Sequence, residues 1–248
     1  MLRIYGSARS RGVRTLWIAG ELGLQYEHLD YLPRSPATKT PEYLALNPNA
    51  RVPTIDDDGF VLAESMAINL YLAKKHGKLY PTDAKHEALA WQWSFWETDR
   101  LDRQLTTYAN NAFVLPEAQR DAAAAKAAWS EIAPALDVLE IALGKAQWLA
   151  GPAFSIADLN VAAAMVRALG FDLVKWPKVH AWLHTCWDRP AAKRALAARL
   201  GFARSAPHRH RWRRGRGGMA GGRGGVAGRH RQQRALCARP HRPDRDLA

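Results

Sequence analysis

A short strand, a tight turn, a second strand and the start of a helix follow one another in residues 47–65, which read NPNARVPTIDDDGFVLAES. The runs Pro53–Ile55 and Phe60–Leu62 flank an Asp-Asp-Asp-Gly segment, and this pattern predicts a β-hairpin. A proline at the entrance of a strand removes one ladder hydrogen bond. A cis Val52–Pro53 bond would turn the Val52 backbone outward, where it could pair with an extended ligand, and an ordinary trans-proline turn is the alternative.

The sequence around this hairpin predicts a mixed α/β region over residues 1–80. Leu2–Tyr5 and Gln25–Tyr31 can form strands, and the apolar spacing of Arg11–Gly23 is that of a helix. Another helix is predicted over Glu64–His76. The predicted order is therefore β-α-β, an irregular segment, and then β-β-α.

Residues 86–202 are predicted to be entirely helical, after a linker at Leu79–Asp83. Ser155 and Asp158 have the spacing of a capping box at a helix start, which we interpret as a folding feature and not as a catalytic acid. The predicted helices are Glu87–Asn110, Glu117–Leu143, Ile156–Leu169, Lys178–Arg189 and Pro190–Arg199.

The positive charge of the 248-residue chain is concentrated near its end. Residues 1–200 carry 23 basic and 21 acidic side chains, whereas residues 201–248 carry 13 arginines, no lysine and two acidic side chains. The segment 203–248 is also rich in glycine and lacks apolar periodicity, so we predict a disordered Arg/Gly-rich tail. An appendage without a role, such as a shifted reading frame in GC-rich DNA, is the favoured interpretation, and binding of RNA or DNA is the alternative.

Several classes of protein are not favoured by the composition. The two cysteines, Cys186 and Cys237, exclude a disulfide framework and a four-cysteine zinc site. His180 and His184 lie on one predicted helix and do not make a metal site by themselves, so we expect no metal. No apolar run reaches membrane-spanning length and no secretory signal is evident, and we therefore expect a cytoplasmic protein.

Two strand-to-helix junctions carry side chains suited to binding a small peptide. Ser10 lies at or near the start of the first predicted helix, where its hydroxyl could cap that helix or donate to a bound thiolate. Glu64 and Ser65 could likewise cap the next helix. They also match an amino acid head group, because a carboxylate binds ammonium and a helix N-terminus with a hydroxyl binds carboxylate.

Taken together, these motifs resemble the cytosolic glutathione S-transferase family, in its bacterial type with a serine-type active site. The resemblance covers residues 1 to about 202. It rests on Tyr5-Gly6-Ser7-x-x-Ser10-x-x-x-Arg14-x-x-Trp17, Glu21-Leu22-Gly23-Leu24, Asn47-Pro48-x-x-x-Val52-Pro53, Asp58-Gly59-Phe60-x-Leu62-x-Glu64-Ser65 and Ser155-Ile156-Ala157-Asp158.

The resemblance implies a thioredoxin-like glutathione-binding domain over residues 1–80, an all-α domain over residues 86–202, and a homodimer. Glutathione is the implied co-substrate, without a metal. Carried onto this sequence, Glu64 and Ser65 would hold the γ-glutamyl group, and the Val52 backbone, next to a cis Pro53, would pair with the cysteinyl part. Arg51 would lie near the glycine carboxylate, with Asn49 nearby.

The implied activity is conjugation of the glutathione thiolate to a small apolar electrophile. Ser10 fits the serine-type pattern of activating residue and Ser7 is the second choice, while the absence of cysteine from this loop disfavours thiol-transferase chemistry. A glutathione-binding scaffold without turnover and a glutathione-dependent peroxidase or dehalogenase are the alternatives. The candidates for the electrophile pocket are Trp91, Trp93, Trp96, Leu101 and Tyr108. Each of them could instead belong to the core or to a dimer interface.

Overall fold

A four-stranded mixed sheet is the centre of the first region in the computed structural model, which describes residues 1–201. Strand β1 (Leu2–Tyr5) runs parallel to β2 (Tyr26–Leu29) and antiparallel to β3 (Thr54–Asp57), which pairs with β4 (Phe60–Ala63). The order across the sheet is therefore β2-β1-β3-β4. The parallel pair needs a crossover, and helix α1 (Gly12–Leu22) supplies it.

Helix α1 is buried on nearly all sides because it lies between the sheet and the helical region. Trp17 and Ile18 have no exposed surface, and the helix packs against both α3 (Ser65–His76) and α9 (Pro190–Leu200). A surface helix would have only one apolar stripe, so this all-round burial marks α1 as the central element of the molecule.

The hairpin is tighter than the sequence pattern predicts. Asp58 and Gly59 alone form the turn, both with positive φ (53° and 93°), as a two-residue turn that matches the strand twist requires. Asp57 was expected in the turn but ends β3, where it is buried and accepts hydrogen bonds from Tyr71 and Lys75. The expected strand Gln25–Tyr31 is likewise shorter, covering only β2.

The segment predicted to be irregular contains two short helices. A 3-10 helix spans Pro36–Lys39 and α2 spans Pro41–Leu46, and the Thr40 hydroxyl caps α2 by accepting from the Tyr43 backbone N–H. Both helices are too short for apolar periodicity to reveal them.

The second region is helical, as expected, but two of the predicted helices are divided and a third, Glu117–Leu143, begins later than predicted, at Ala122. The range Glu87–Asn110 is divided at Leu101, and Ile156–Leu169 changes to a 3-10 helix at Met165–Gly170. A π-helical turn at Asn110–Val114 and a 3-10 turn at Glu117–Gln119 precede the longest helix. The α-helices are α4 (Ala84–Arg100), α5 (Asp102–Ala109), α6 (Ala122–Lys145), α7 (Ile156–Ala164), α8 (Pro177–Trp187) and α9.

The capping box at the start of α7 is present and its carboxylate also bonds beyond the box. Asp158 is fully buried and accepts from the Ser155 N–H (3.0 Å) and hydroxyl (3.1 Å), the Leu149 N–H (2.9 Å) and the indole N–H of Trp182 (3.0 Å). One side chain thus ties the start of α7 to the preceding loop and to α8.

Polar contacts fix the helical region to the first region. The linker carbonyl of Leu79 accepts from the Ile156 N–H at 2.7 Å, and the guanidinium of Arg189 donates two bonds of 2.8 Å to Glu21 on α1. Within residues 1–201 no helix is both long and apolar enough to cross a bilayer. The predicted tail, residues 203–248, lies outside the described residues.

Candidate functional site

A cavity of about 410 Å³ lies between the two regions. One wall consists of the β1–α1 loop, the segment leading to β3 and the start of α3. The other wall consists of residues from α5, α7, the Met165–Gly170 helix and α9. Its volume is within the range of about 300–1,000 Å³ that is usual for small-ligand sites.

Ser10 lines this cavity and its hydroxyl makes two local bonds. The hydroxyl donates to the Ser7 carbonyl at 2.7 Å and accepts at 3.0 Å from the N–H of Gly12, the first residue of α1, whereas the N-cap residue itself is Arg11 and makes no side-chain capping bond. Ser7, by contrast, is buried and its hydroxyl oxygen accepts from the Arg9 N–H at 3.2 Å. Of the two serines, only Ser10 reaches the cavity surface.

The segment before β3 lines the cavity with Arg51, Val52 and Pro53. The Val52–Pro53 bond is cis, as predicted. Asn47 fixes the preceding turn, since its amide donates to the Arg51 carbonyl at 3.1 Å and to the Thr54 hydroxyl at 3.0 Å. A side chain at Gly6 would place its Cβ 3.3 Å from the Cα of Pro53, so glycine allows the two cavity loops to approach closely.

At the start of α3, Glu64 has φ 70° and ψ 113°, a strained conformation for a residue with a side chain, and it makes no capping bond. Its exposed carboxylate lines the cavity. Ser65 is buried, and its hydroxyl oxygen accepts from Arg14 at 3.3 Å. Because Arg14 uses the oxygen, the hydroxyl proton of Ser65 is available to a ligand.

Arg14 joins the binding wall to the helical region. This buried guanidinium donates to Asp102 at 2.5 Å, and Arg11 donates to the same carboxylate at 2.7 Å. Burial by itself would raise the pKa of Asp102, but the charges and hydrogen bonds of Arg14 and Arg11 hold that pKa below its ordinary value. Asp102 is therefore an ionised counter-charge at neutral pH.

A second acid lies near this pair. Glu97 on α4 has no exposed surface, and its Oε1 is 3.9 Å from Arg14 and has no hydrogen-bond partner within residues 1–201. Burial raises the pKa of Glu97 to about 8, because desolvation outweighs the charge of Arg14. The group is consequently a neutral carboxylic acid at pH 7.

Most of the predicted binding residues line the cavity. Asn49 is the exception, because it is exposed and outside the lining, and its backbone N–H donates to the Asn47 side chain at 3.0 Å. The predicted residues that line the cavity are Ser10, Arg51, Val52, Pro53, Glu64 and Ser65.

The aromatic candidates for an electrophile pocket do not line the cavity. Trp93 and Leu101 are buried in the core, Tyr108 packs against Trp129, and the indole N–H of Trp91 donates to the Tyr80 hydroxyl. Trp96 packs edge-to-face on Trp93 at 5.0 Å. The aromatic spacing on α4 and α5 thus reflects packing. The helical wall instead consists of Asp102, Thr106, Ala163, Ala164, Val166, Arg167 and Arg199.

Two arginines of this wall were missed, because charged residues on a helix are usually solvated. Burial lowers the pKa of Arg167, and burial together with the charges of Arg167 and Arg14 lowers the pKa of Arg199 to about 10. One guanidinium nitrogen of Arg199 donates to the carbonyls of Ala8 (3.1 Å) and Ser10 (3.4 Å), and so supports the loop that carries Ser10.

Metal binding has no support in the described part of the chain. No group of three or more His, Cys, Asp or Glu side chains there could hold a metal ion. The absence of a metal requirement stays a prediction.

The sequence matches two family descriptions, "Glutathione S-transferase, N-terminal domain" over residues 2–74 and "Glutathione S-transferase, C-terminal domain" over residues 103–190. It is 31% identical to glutathione S-transferase 3 of Zea mays over 211 residues, which cover 79% of this chain and 94% of the relative. It is 35% identical to glutathione S-transferase D7 of Anopheles gambiae over 153 residues, 60% of this chain and 68% of the relative.

One solved structure with a similar fold contains bound glutathione. It is the theta class glutathione S-transferase of Xanthomonas axonopodis pv. citri with glutathione bound, and it aligns with a TM-score of 0.73 at 31% identity. The alignment covers 78% of this chain and 96% of that one.

Proposed function

The chain belongs to the glutathione S-transferase family, and from this premise we propose that it conjugates the thiolate of glutathione, held beside Ser10, to a small electrophile. The observation that carries the proposal is that Ser10, Val52, Glu64 and Ser65 line one cavity. The relatives are named glutathione S-transferases, and they do not favour a scaffold, a peroxidase or a dehalogenase.

The binding wall complements the two ends of glutathione. The γ-glutamyl carboxylate accepts from the Ser65 hydroxyl at the N-terminus of α3, and Glu64 binds the ammonium group. The Val52 backbone pairs with the cysteinyl residue as a strand would. Arg51 binds the glycine carboxylate as a charge-assisted pair. Asn49 lies next to this turn and has no direct contact in the proposed mode.

Ser10 stabilises the ionised sulfur in this mode. Its hydroxyl proton, now donated to the Ser7 carbonyl, turns towards the thiolate, while the oxygen keeps its bond from the Gly12 N–H. The N-terminus of α1 adds positive potential at the same place. The thiol proton leaves to solvent before the chemical step.

The thiolate of bound glutathione needs only modest stabilisation relative to the thiol. A free thiol with a pKa of about 8.5 is only a few per cent ionised at neutral pH. Lowering this pKa by about two units corresponds to about 2.7 kcal/mol and makes the thiolate the main species. One hydroxyl bond to a charged acceptor contributes about 1.5–3 kcal/mol, so Ser10 and the helix N-terminus are sufficient.

The test is the pH dependence of conjugation with 1-chloro-2,4-dinitrobenzene. The change Ser10→Ala should raise the apparent pKa seen in kcat/KM towards the pKa of free glutathione. At pH values below that pKa, turnover should be lower than in the wild type. Calorimetry should show that the variant still binds glutathione. Ser7→Ala addresses the second-choice serine, and Ser130→Ala, at an exposed position on α6, is the matched control. If Ser10→Ala leaves the pH profile and turnover intact, Ser10 is not the activating residue.

The homodimer and the cytoplasmic location are also part of the proposal. The exposed side chains of Phe60 (49%), Trp91 (41%) and Phe95 (68%) support a second copy as the partner that covers them. Light scattering of the wild type and of Phe95→Glu tests this, since the variant should be monomeric. The cytoplasm keeps glutathione reduced, as the reaction requires. No nucleic-acid partner is proposed, because residues 1–200 are nearly neutral.

A further inference from the structure

The cavity is much more basic than the first region around it. Among residues 1–201, its lining contains seven arginines and only two carboxylates, those of Glu64 and Asp102. Asp102 forms ion pairs with both Arg11 and Arg14, and its single negative charge offsets only one of these two positive charges. The lining therefore has an excess of positive charge, and an occupant with negative charge would complement it.

Arg167 differs from the exposed arginines of the lining, Arg9, Arg34 and Arg51, because its guanidinium is unpaired within residues 1–201 although the residue is partly buried. It is partly buried at the cavity wall, and it makes no hydrogen bond or ion pair with any residue in 1–201. Arg199 is near enough to Arg167 for the two positive charges to interact. It donates to two backbone carbonyls, but within residues 1–201 it has no carboxylate partner either. Keeping two partly desolvated cations at one wall is costly unless a ligand supplies the counter-charge.

Glutathione does not supply that counter-charge in the proposed mode. Its two carboxylates are bound by Ser65 and Arg51, which belong to the opposite wall. The wall with Arg167 faces the space left for the second substrate. Apart from Asp102, Arg167 and Arg199, the described side chains of that wall are short and so leave room for a small molecule; they are those of Thr106, Ala163, Ala164 and Val166.

We propose, on the basis of the function argued above, that the second substrate is a small electrophile with a carboxylate next to its reactive carbon, and that Arg167 binds this carboxylate with Arg199 beside it. This replaces the apolar electrophile that the family resemblance implied. The partial desolvation of Arg167 strengthens its attraction for an anion. The guanidinium also reduces the repulsion between the thiolate and the substrate carboxylate, which would otherwise oppose their approach.

A 2-halocarboxylate illustrates the reaction. The thiolate sulfur forms a bond to the carbon that bears the halogen, and the carbon–halogen bond breaks with its electron pair leaving as halide. The product is a thioether that keeps the carboxylate, and no proton is transferred in this step because the thiol has ionised beforehand.

The decisive experiment compares two product-like ligands in calorimetry, S-carboxymethylglutathione and S-carbamoylmethylglutathione, which differ in charge but hardly in size. The wild type should bind the carboxylate ligand about tenfold more tightly. Arg167→Gln should bring the ratio of the two affinities close to one while affinity for glutathione is retained, and Arg167→Lys should keep part of the preference. Arg103→Gln, an exposed arginine on α5 outside the cavity, is the matched control and should keep the wild-type ratio.

The outcomes separate this inference from the function on which it rests. Equal affinity of the wild type for both ligands, or a ratio that Arg167→Gln does not change, overturns the inference and leaves the glutathione site intact. Failure to bind glutathione and both derivatives overturns the proposed function as well. In turnover, Arg167→Gln should raise KM about tenfold for iodoacetate and leave KM for iodoacetamide unchanged.

Discussion

Replacing the buried Glu97 by glutamine should change how folding stability depends on pH. Burial raises the pKa of Glu97 from 4.5 to about 8, so between these values the folded chain keeps a proton that the unfolded chain has released. The stability from this group is therefore fully present below pH 4.5 and is lost as pH rises through about 8. At about 1.4 kcal/mol per pH unit, the loss between about pH 5 and about pH 8 is about 3.5 kcal/mol.

Glutamine is neutral throughout and has nearly the same shape, so Glu97→Gln should lose none of this stability. Urea unfolding at one protein concentration, repeated across the pH range, measures the difference between variant and wild type, in which other titrating groups cancel. Between about pH 5 and about pH 8, the free energy of unfolding of the variant should rise by about 3.5 kcal/mol relative to that of the wild type. Asp99→Asn, an exposed acid on the same helix, is the control and should stay parallel to the wild type. A constant difference between Glu97→Gln and the wild type would refute the reasoning.

Three further predictions concern packing and accessibility. Asp158→Ala should lower the free energy of unfolding by about 3–5 kcal/mol, because four donors lose a fully buried acceptor. A loss below about 1 kcal/mol in urea unfolding would contradict this prediction. Gly12→Ala would put a Cβ 2.6 Å from the Ser7 carbonyl oxygen, so we expect a lower Tm and weaker glutathione binding in calorimetry. If both quantities are unchanged, the loop moves aside without a measurable cost and the prediction is wrong. In a Cys237→Ser variant, Cys186, which has no exposed surface and a pKa raised by burial, should react with Ellman's reagent only after denaturation.

Local signals in the sequence predicted the four strands and the two longer helices of the first region, but they missed the two short helices between β2 and β3. Alternation, helical periodicity and glycine stops each act within a few residues, and they agree with the sheet and helices observed. The local sequence, a proline at a strand entrance, left a cis and a trans Val52–Pro53 bond open, and the family resemblance implied the cis bond that is observed. The division at Leu101 had no glycine or proline to mark it, since the residues around it are Asp99, Arg100, Asp102 and Arg103.

The candidate site was predictable only on its first wall. Ser10, Glu64 and Ser65 lie at strand-to-helix junctions, where the sequence itself indicates free backbone groups. Arg167 and Arg199 reach the cavity only through the packing of two distant helices, and no spacing in the sequence reveals that. The sequence left two interpretations of Ser10 open, a helix cap and a donor to the thiolate. In the structure its hydroxyl accepts from the first N–H of α1, while the N-cap position belongs to Arg11.

The ion pair between Arg14 and Asp102 has a consequence for any attempt to recombine parts of this protein. The cation lies on α1 in the first region and its anion on α5 in the helical region. Residues 1–80 expressed alone would leave Arg14 without its counter-charge and Ser65 without a fixed neighbour. Chimeras with a foreign helical half should therefore succeed only when the incoming half brings an acid to the same place, so the two halves are expected to be inherited as one unit.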